Sequence, residues 1–204
     1  MRSRNAVDRE RLCVDHSGVF MLRLFVASLL LALPATAQTV APPSIASLLA
    51  GTAGTWTGRL EYRDYQSNRW EGLPMTATIA LQADGATMIR TATFDDGPKT
   101  GAVVITTISL VDTTNETESY ASFRKGKPLS SGTAILSMPA PPRDATHWTI
   151  VAQEHARDGD GLAKLRETTT RDGDMLTVLK EVDPDGDGKD AWLPRNRTTL
   201  KRVG

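Results

Sequence analysis

The chain has 204 residues, with 24 basic and 24 acidic side chains, so its formal net charge at pH 7 is zero. A neutral chain lacks the basic surface that binds nucleic acid or an anionic membrane, and we exclude both kinds of partner. The length is sufficient for one domain with a sizeable core.

Residues 21–37 have the three parts of a secretory signal peptide. A positive charge precedes an apolar run over residues 24–33, and residues 35–37 (ATA) match an A-x-A cleavage site. The run is too short for a transmembrane helix, which takes about 20 apolar residues. We therefore predict a leader over residues 1–37, with translation alternatively beginning at Met21, and a periplasmic or secreted protein without a membrane anchor. The only cysteine of the chain would leave with this leader, so the mature domain should form no disulfide.

After the leader, residues 38–50 form a proline-containing tether that ends in an apolar cluster, which allows one or two helical turns as a lid. The rest of the chain alternates segments rich in Val, Ile and Thr with Gly/Asp turns, such as Ala83-Asp84-Gly85. The pattern indicates an antiparallel sandwich or barrel, since no helix of crossover length is present. The predicted strands cover residues 51–65, 70–81, 87–94, 100–111, 116–123, 129–137, 148–154, 164–171, 175–183 and 196–203.

The first predicted strand opens with Gly54-Thr55-Trp56, and the last contains the run RTTLKR at residues 197–202. This pair resembles the G-x-W signature and the closing arginine strand of lipocalin-like (calycin) barrels. The similarity is greatest to secreted bacterial lipocalin-like proteins of unknown function and to nitrobindin-like haem barrels. It implies an all-β fold with a single antiparallel lipocalin-like barrel of about 8–10 strands over residues 51–204. It also implies an arginine covering Trp56, for which we expect Arg202 first and Arg197 second.

A barrel of this kind would enclose a cavity lined by alternate residues of successive strands. We predict that it binds a small, partly apolar or amphipathic molecule without transforming it. If Leu165 and Thr177 face inward, so do Glu167 and Glu181, and a buried carboxylate would need a partner such as Arg195. The alternative is that these charged residues form a solvated outer face. The predicted cavity residues are Tyr62, Ile79, Ile105, Trp148, Ile150, Glu167, Glu181 and Arg195.

Three other functions remain open from the sequence. An enzyme could use Glu and Arg groups at the cavity mouth, for example Glu167 with Glu181 as an acid/base pair, although no catalytic motif is present. A nitrobindin-like barrel would hold a haem iron through one imidazole, His147 or His155. A barrel filled by its own side chains would act as an interaction module. Our expectation is a binding protein without a cofactor.

An acidic segment, DPDGDG at residues 183–188, matches the first half of a calcium-binding loop. Its carboxylates are Asp183, Asp185 and Asp187, but Pro194 occupies the position where the bidentate glutamate should stand. We predict an acidic hairpin tip at this place, with weak calcium binding as the alternative.

Overall fold

The structure, a computed structural model, describes residues 42–159 and 161–204, so the predicted leader lies outside the described residues. Most of the described chain is β-strand, with one short helix at its beginning and another between the third and fourth strands. The elements in chain order are α1 Ile45–Ala50, β1 Gly54–Asp64, β2 Arg69–Leu81, β3 Thr87–Asp95, α2 Gly97–Thr100, β4 Ala102–Asp112, β5 Thr117–Arg124, β6 Ser130–Ser137, β7 His147–Asp158, β8 Gly161–Asp172, β9 Met175–Pro184 and β10 Leu193–Arg202.

The ten strands of the described chain form one closed barrel in which each strand pairs antiparallel with its neighbours in sequence. The barrel closes where β1 pairs with β10, from Trp56 opposite Arg202 to Tyr62 opposite Asn196. Closure gives every strand of the described chain two neighbours, although the ladder between β6 and β7 covers only part of their length. The prediction of an all-β fold with a single antiparallel barrel is therefore confirmed.

The inside of the barrel is identified by the buried residues of β1. Trp56 has no exposed surface and Leu60 is 9% exposed, so their side of the strand faces the core. Residues directly opposite each other in an antiparallel ladder lie on the same face of the sheet. The register therefore assigns the inward positions of every strand, beginning with Ala77 on β2 and Leu200 on β10.

One end of the barrel is closed by helix α1. Ser44 caps this helix by accepting a hydrogen bond from the backbone N–H of Ser47 at 3.2 Å. Ile45 and Leu48 are buried and pack in the same apolar cluster as Trp56. The part of the predicted lid that the structure describes thus covers the end of the barrel where β1 begins.

The strand boundaries differ from the sequence prediction at a few places. The segment between the predicted strands 87–94 and 100–111 contains the four-residue helix α2, and β7 extends to Asp158 rather than stopping at Glu154. Pro74 lies inside β2. It is tolerated there because the ladder between β2 and β3 begins only at Met75, so the missing N–H removes no bond to β3.

Asp84 should make the stability of the barrel sensitive to acid. Its carboxylate accepts hydrogen bonds from the Thr87 hydroxyl at 2.6 Å and from the backbone N–H groups of Thr87 and Ala86, which lower its pKa to about 2. A lowered folded-state pKa stabilises the fold above the unfolded value, and this stabilisation is lost as pH falls through the folded value. We expect Asp84→Ala to be less stable than the native chain at pH 7, with the difference shrinking between about pH 4 and pH 2.

The measurement is urea unfolding across this pH range. Asp174→Ala is the matched control, because the Asp174 carboxylate accepts no hydrogen bond within the described residues. A difference between Asp84→Ala and the native chain that stays constant down to pH 2 would contradict this prediction.

Candidate functional site

The closed end of the barrel is organised around Trp56. Its indole N–H donates to the carbonyl oxygen of Thr52 at 2.8 Å, and the Arg202 guanidinium lies 4.7 Å from the ring centroid. Arg202 also donates to the carbonyl oxygens of Ala53 at 2.9 Å and Gly51 at 2.8 Å. Arg202, our first choice for the covering residue, therefore ties the end of β10 to the segment before β1.

Gly54 explains the glycine of the G-x-W motif. Its φ of +138° is a backbone conformation that L-residues rarely adopt. A Cβ at this position would also lie 2.7 Å from a terminal nitrogen of Arg202. The motif thus provides both the turn into β1 and the space for the covering guanidinium.

The lumen, by which we mean the interior of the barrel, is apolar near this closed end. The buried cluster there includes residues from β1 to β4, from β6, β7, β9 and β10, and from α1. We call it the floor of the lumen. Its buried members are Ile45, Leu48, Trp56, Leu60, Met75, Ala77, Ile79, Met88, Ala92, Val111, Leu136, Trp148, Ile150, Leu176 and Leu200.

Beside and beyond the floor, part of the inward face is polar. Glu118 lies opposite Val111 and Ala134, which are both buried, so its carboxylate faces the lumen. The pairing register assigns inward positions to further polar residues in the same way. We call Glu118 and these residues the polar wall. Its members are Arg90, Ser109, Glu118, Tyr120, Glu154, Glu167 and Lys180.

Tyr120 and Glu154 form the central contact of the polar wall. The Tyr120 hydroxyl donates to Oε1 of Glu154 at 2.8 Å. Gly132 on β6 provides the space for both, because a Cβ there would lie 2.5 Å from Oε2 of Glu154 and 2.9 Å from the Tyr120 hydroxyl oxygen. Burial raises the pKa of Tyr120, and the hydrogen bond to Glu154 raises it further. The tyrosine therefore stays protonated and remains the donor.

This contact lies beside a gap in the barrel wall. The ladder between β6 and β7 comprises only the pairs from Ile135 opposite Gln153 to Ser137 opposite Val151. The first part of β6, which contains Gly132, and the last part of β7, which contains Glu154, have no ladder bonds to each other. The Tyr120–Glu154 pair spans this unpaired part of the wall.

Glu118 and Glu167 place two more carboxylates in the polar wall. Burial raises the pKa of Glu118; a hydrogen bond from Ser109 opposes this shift, the negative charge of Glu167 adds to it, and Arg90 lowers it. Glu167 is exposed although it faces the lumen, with Ala152 and Lys180 opposite it in the two ladders. Solvent thus reaches this depth of the barrel.

The open end of the barrel contains Tyr62, which points inward but is 50% exposed. Burial of its other half raises the pKa of Tyr62, while the charges of Arg124 and Asp96 act on it in opposite directions. Tyr62 also lines a cleft of about 600 Å³ together with Glu71, Leu73 and neighbouring residues of β2 and β3. Inward-facing residues are therefore buried under helix α1 at one end of the barrel and exposed at the other.

Six of the eight predicted cavity residues face the lumen. Ile79, Trp148 and Ile150 belong to the buried floor, and Ile105 lies opposite the buried Ala92. The other two of the six, Tyr62 and Glu167, face inward and are exposed.

The placement of Glu181 inside the cavity is wrong. Leu165 does face inward, but its partner on β9 is Val182, which has no exposed surface, so Thr177 and Glu181 face outward. Glu181 instead accepts a hydrogen bond from Nε of Arg166 at 2.9 Å on the outside of the barrel. The wall of the barrel separates Glu167 from Glu181, so these carboxylates cannot act as one acid/base pair.

Arg195 lies at the rim of the open end, and Arg197 lies on the outer face of the barrel. Arg195, at a bulge in β10, donates to Asp158 at the rim and lies over the ring of Tyr65. Arg197 pairs with Glu61 and stacks on Trp70 at 4.9 Å on the outer face, so this second choice does not cover Trp56.

The histidines and the acidic hairpin make polar contacts on the outside of the barrel. His147 contacts Asp144, and His155 contacts Asp185 at 2.7 Å, both from outward positions of β7. Asp183 accepts from Nζ of Lys164 at 3.0 Å, and Asp187 accepts from a backbone N–H of the same turn. Over residues 42–159 and 161–204, no group of three His, Cys, Asp or Glu side chains is arranged to hold a metal ion.

Glu118, Tyr120 and Glu154 were not among the site residues predicted from the sequence. In β5, Glu, Tyr, Ser and Arg alternate with Ser, Ala and Phe, so the strand has one polar side and one mixed side. Nothing in that segment indicates which side faces inward. Only the pairing with β4 and β6 decides it.

Comparison with known proteins identifies a similar fold but no matching family. No family model matches the chain, and no curated protein matches it. Among solved structures, the chain is similar to the crystal structure of Rv2717c from M. tuberculosis, with a TM-score of 0.53 and 13% identity over 79% of this chain and 100% of that one. In the described part of the chain, no helix has both the length and the apolar character to cross a membrane. The similarity supports the barrel fold alone.

Proposed function

We propose that the lumen binds a small molecule with an apolar body and a polar end, and releases it unchanged. The observation that carries this proposal is the change of character along one continuous surface. Trp56 is fully buried in an apolar floor, whereas Glu167 and Tyr62 also face inward and are exposed. Ligand sites in proteins typically combine an apolar lining with a few polar groups that orient the ligand.

The geometry gives less support to the other functions. The two carboxylates considered for acid/base chemistry lie on opposite sides of the wall, and both described histidines are held by aspartates on the outside. Exposed inward groups also argue against a barrel filled by its own side chains. The leader predicted over residues 1–37 would make this an exported binder, and we keep that location as part of the proposal.

Ile105 and Ile108 on β4 offer a matched pair of variants to test the proposal. Ile105 faces the lumen, whereas Ile108 faces outward and is 41% exposed. We expect the neutral fluorescent probe N-phenyl-1-naphthylamine to bind the native chain. Ile105→Trp, which fills the middle of the lumen, should weaken this binding at least about tenfold, the equivalent of one lost apolar contact of about 1.4 kcal/mol.

Ile108→Trp should bind the probe as the native chain does. Far-UV circular dichroism checks that both variants fold. Equal weakening by the two substitutions, or none by Ile105→Trp, would place binding outside the lumen and contradict the proposal, as would a native chain that does not bind the probe.

A further inference from the structure

The polar wall also specifies the chemistry of the ligand's polar end. The Tyr120 hydroxyl has a single proton, and the hydrogen bond to Oε1 of Glu154 uses it. What remains for a ligand is a lone pair on the tyrosine oxygen and the second carboxylate oxygen of Glu154. Both are acceptors, so this contact can bind only a group that donates hydrogen bonds.

The charge of Glu154 favours a positively charged donor. The polar wall contains two other carboxylates, Glu118 and Glu167, and two cations, Arg90 and Lys180. Arg90 acts on Glu118, and Lys180 lies opposite Glu167 in the β8–β9 ladder. Within residues 42–159 and 161–204, no ion pair is made by Glu154. Arg124 also faces the lumen from β5, four residues beyond Tyr120 at the open end, where it acts on Tyr62.

The position of Glu154 is determined by its neighbours. Gly132 leaves the space that Tyr120 and Glu154 occupy, and the unpaired stretch between β6 and β7 lies directly beside them. The hydrogen bond from Tyr120 orients the carboxylate, so its free oxygen is held in place before a ligand arrives. Such preorganisation reduces the entropy lost on binding.

We propose that the Tyr120–Glu154 pair binds the protonated amine of an amphipathic ligand whose apolar part lies against the floor. This inference rests on the proposed function, because it assumes that the lumen is the binding site. A fatty acid, an alkyl phosphate or another ligand with an anionic end is disfavoured, since its oxygens would face the acceptor oxygens of Tyr120 and Glu154.

The test is displacement of N-phenyl-1-naphthylamine at pH 7 by octylamine, octanol and octanoate, which share one chain and differ in the polar end. We expect octylamine to displace the probe at a concentration at least about tenfold lower than octanoate, with octanol between them. A hydrogen bond between charged groups is stronger than one between neutral groups, and the expected factor of ten corresponds to about 1.4 kcal/mol.

Glu154→Gln keeps the shape of the side chain and an oxygen that accepts from Tyr120, but it removes the charge. It should abolish the preference for octylamine over octanoate. Glu181→Gln, which makes the same change on the outer face, is the matched control and should retain the preference.

Each outcome has a distinct meaning. Displacement by all three compounds with no preference for the amine, or a preference that persists in Glu154→Gln, would overturn this inference and leave lumen binding intact. A native chain that does not bind the fluorescent probe, or a probe that none of the three displaces, would overturn both the inference and the proposed function.

Discussion

Replacing Trp56 by alanine is expected to lower the free energy of unfolding by about 3–5 kcal/mol. The side chain is fully buried, donates to the Thr52 carbonyl and lies under the Arg202 guanidinium. Its removal leaves a cavity between the lid and the barrel and exposes the contact that joins β1 to β10. Small domains are stable by about 5–15 kcal/mol in total, so this loss is a large part of the whole. Urea unfolding followed by circular dichroism measures it.

Trp192 provides the control for the size and chemistry of this substitution. Its ring lies under the Arg166 guanidinium at 4.1 Å, so it has the same kind of stacking contact, but it is only partly buried on the outside of the barrel. Trp192→Ala should cost about 1 kcal/mol, as expected of an exposed cation–π pair. If the two variants lost the same stability, the closed end would not depend on Trp56.

Replacing Gly58 by alanine is the second change with a large expected effect, a loss of about 3 kcal/mol in the free energy of unfolding. A Cβ at this position would overlap the carbonyl oxygen of Thr199 and lie 2.9 Å from its carbonyl carbon and 3.0 Å from Cα of Leu200. All three atoms belong to the backbone of β10, so no side-chain rotation can relieve the clash. The strands would have to separate at the place where the barrel closes.

Gly161→Ala is the control for this prediction. No atom lies within 4 Å of a Cβ built at Gly161, and its φ is not in the positive range. The substitution should change the stability by less than about 0.5 kcal/mol. Chemical denaturation compares the two variants, and a Gly58→Ala protein as stable as Gly161→Ala would show that β1 and β10 do not approach as closely as described.

Much of the barrel was predictable because its signals are local. Alternation of residue type along a strand and Gly/Asp turns depend on a few neighbouring residues, and they located all ten strands of the described chain with small shifts at the ends. The G-x-W motif could be interpreted for a similar reason. Gly54 and Trp56 occupy positions whose backbone and volume requirements few other residues meet.

The polar wall was less predictable because its formation depends on the register of distant strands. A shift of one residue in pairing moves every side chain of a strand to the opposite face. Glu167 and Glu181 illustrate this. Both were placed inside the barrel on the assumption that β8 and β9 turn a particular face inward, and the assumption is correct for β8 and wrong for β9.

The amino-acid sequence by itself determined the fold class and the strand segments, because each depends on local pattern. The resemblance to lipocalin-like barrels added Arg202 as the first choice to cover Trp56 and Arg197 as the second, and the structure places Arg202 there. The tertiary structure alone decided which charged groups share the lumen. Tyr120 and Glu154 are 34 positions apart, and their hydrogen bond exists only because β5, β6 and β7 curve around one interior with Gly132 between them. Pairing register and the missing side chain at that glycine are therefore the physical reasons for the candidate site.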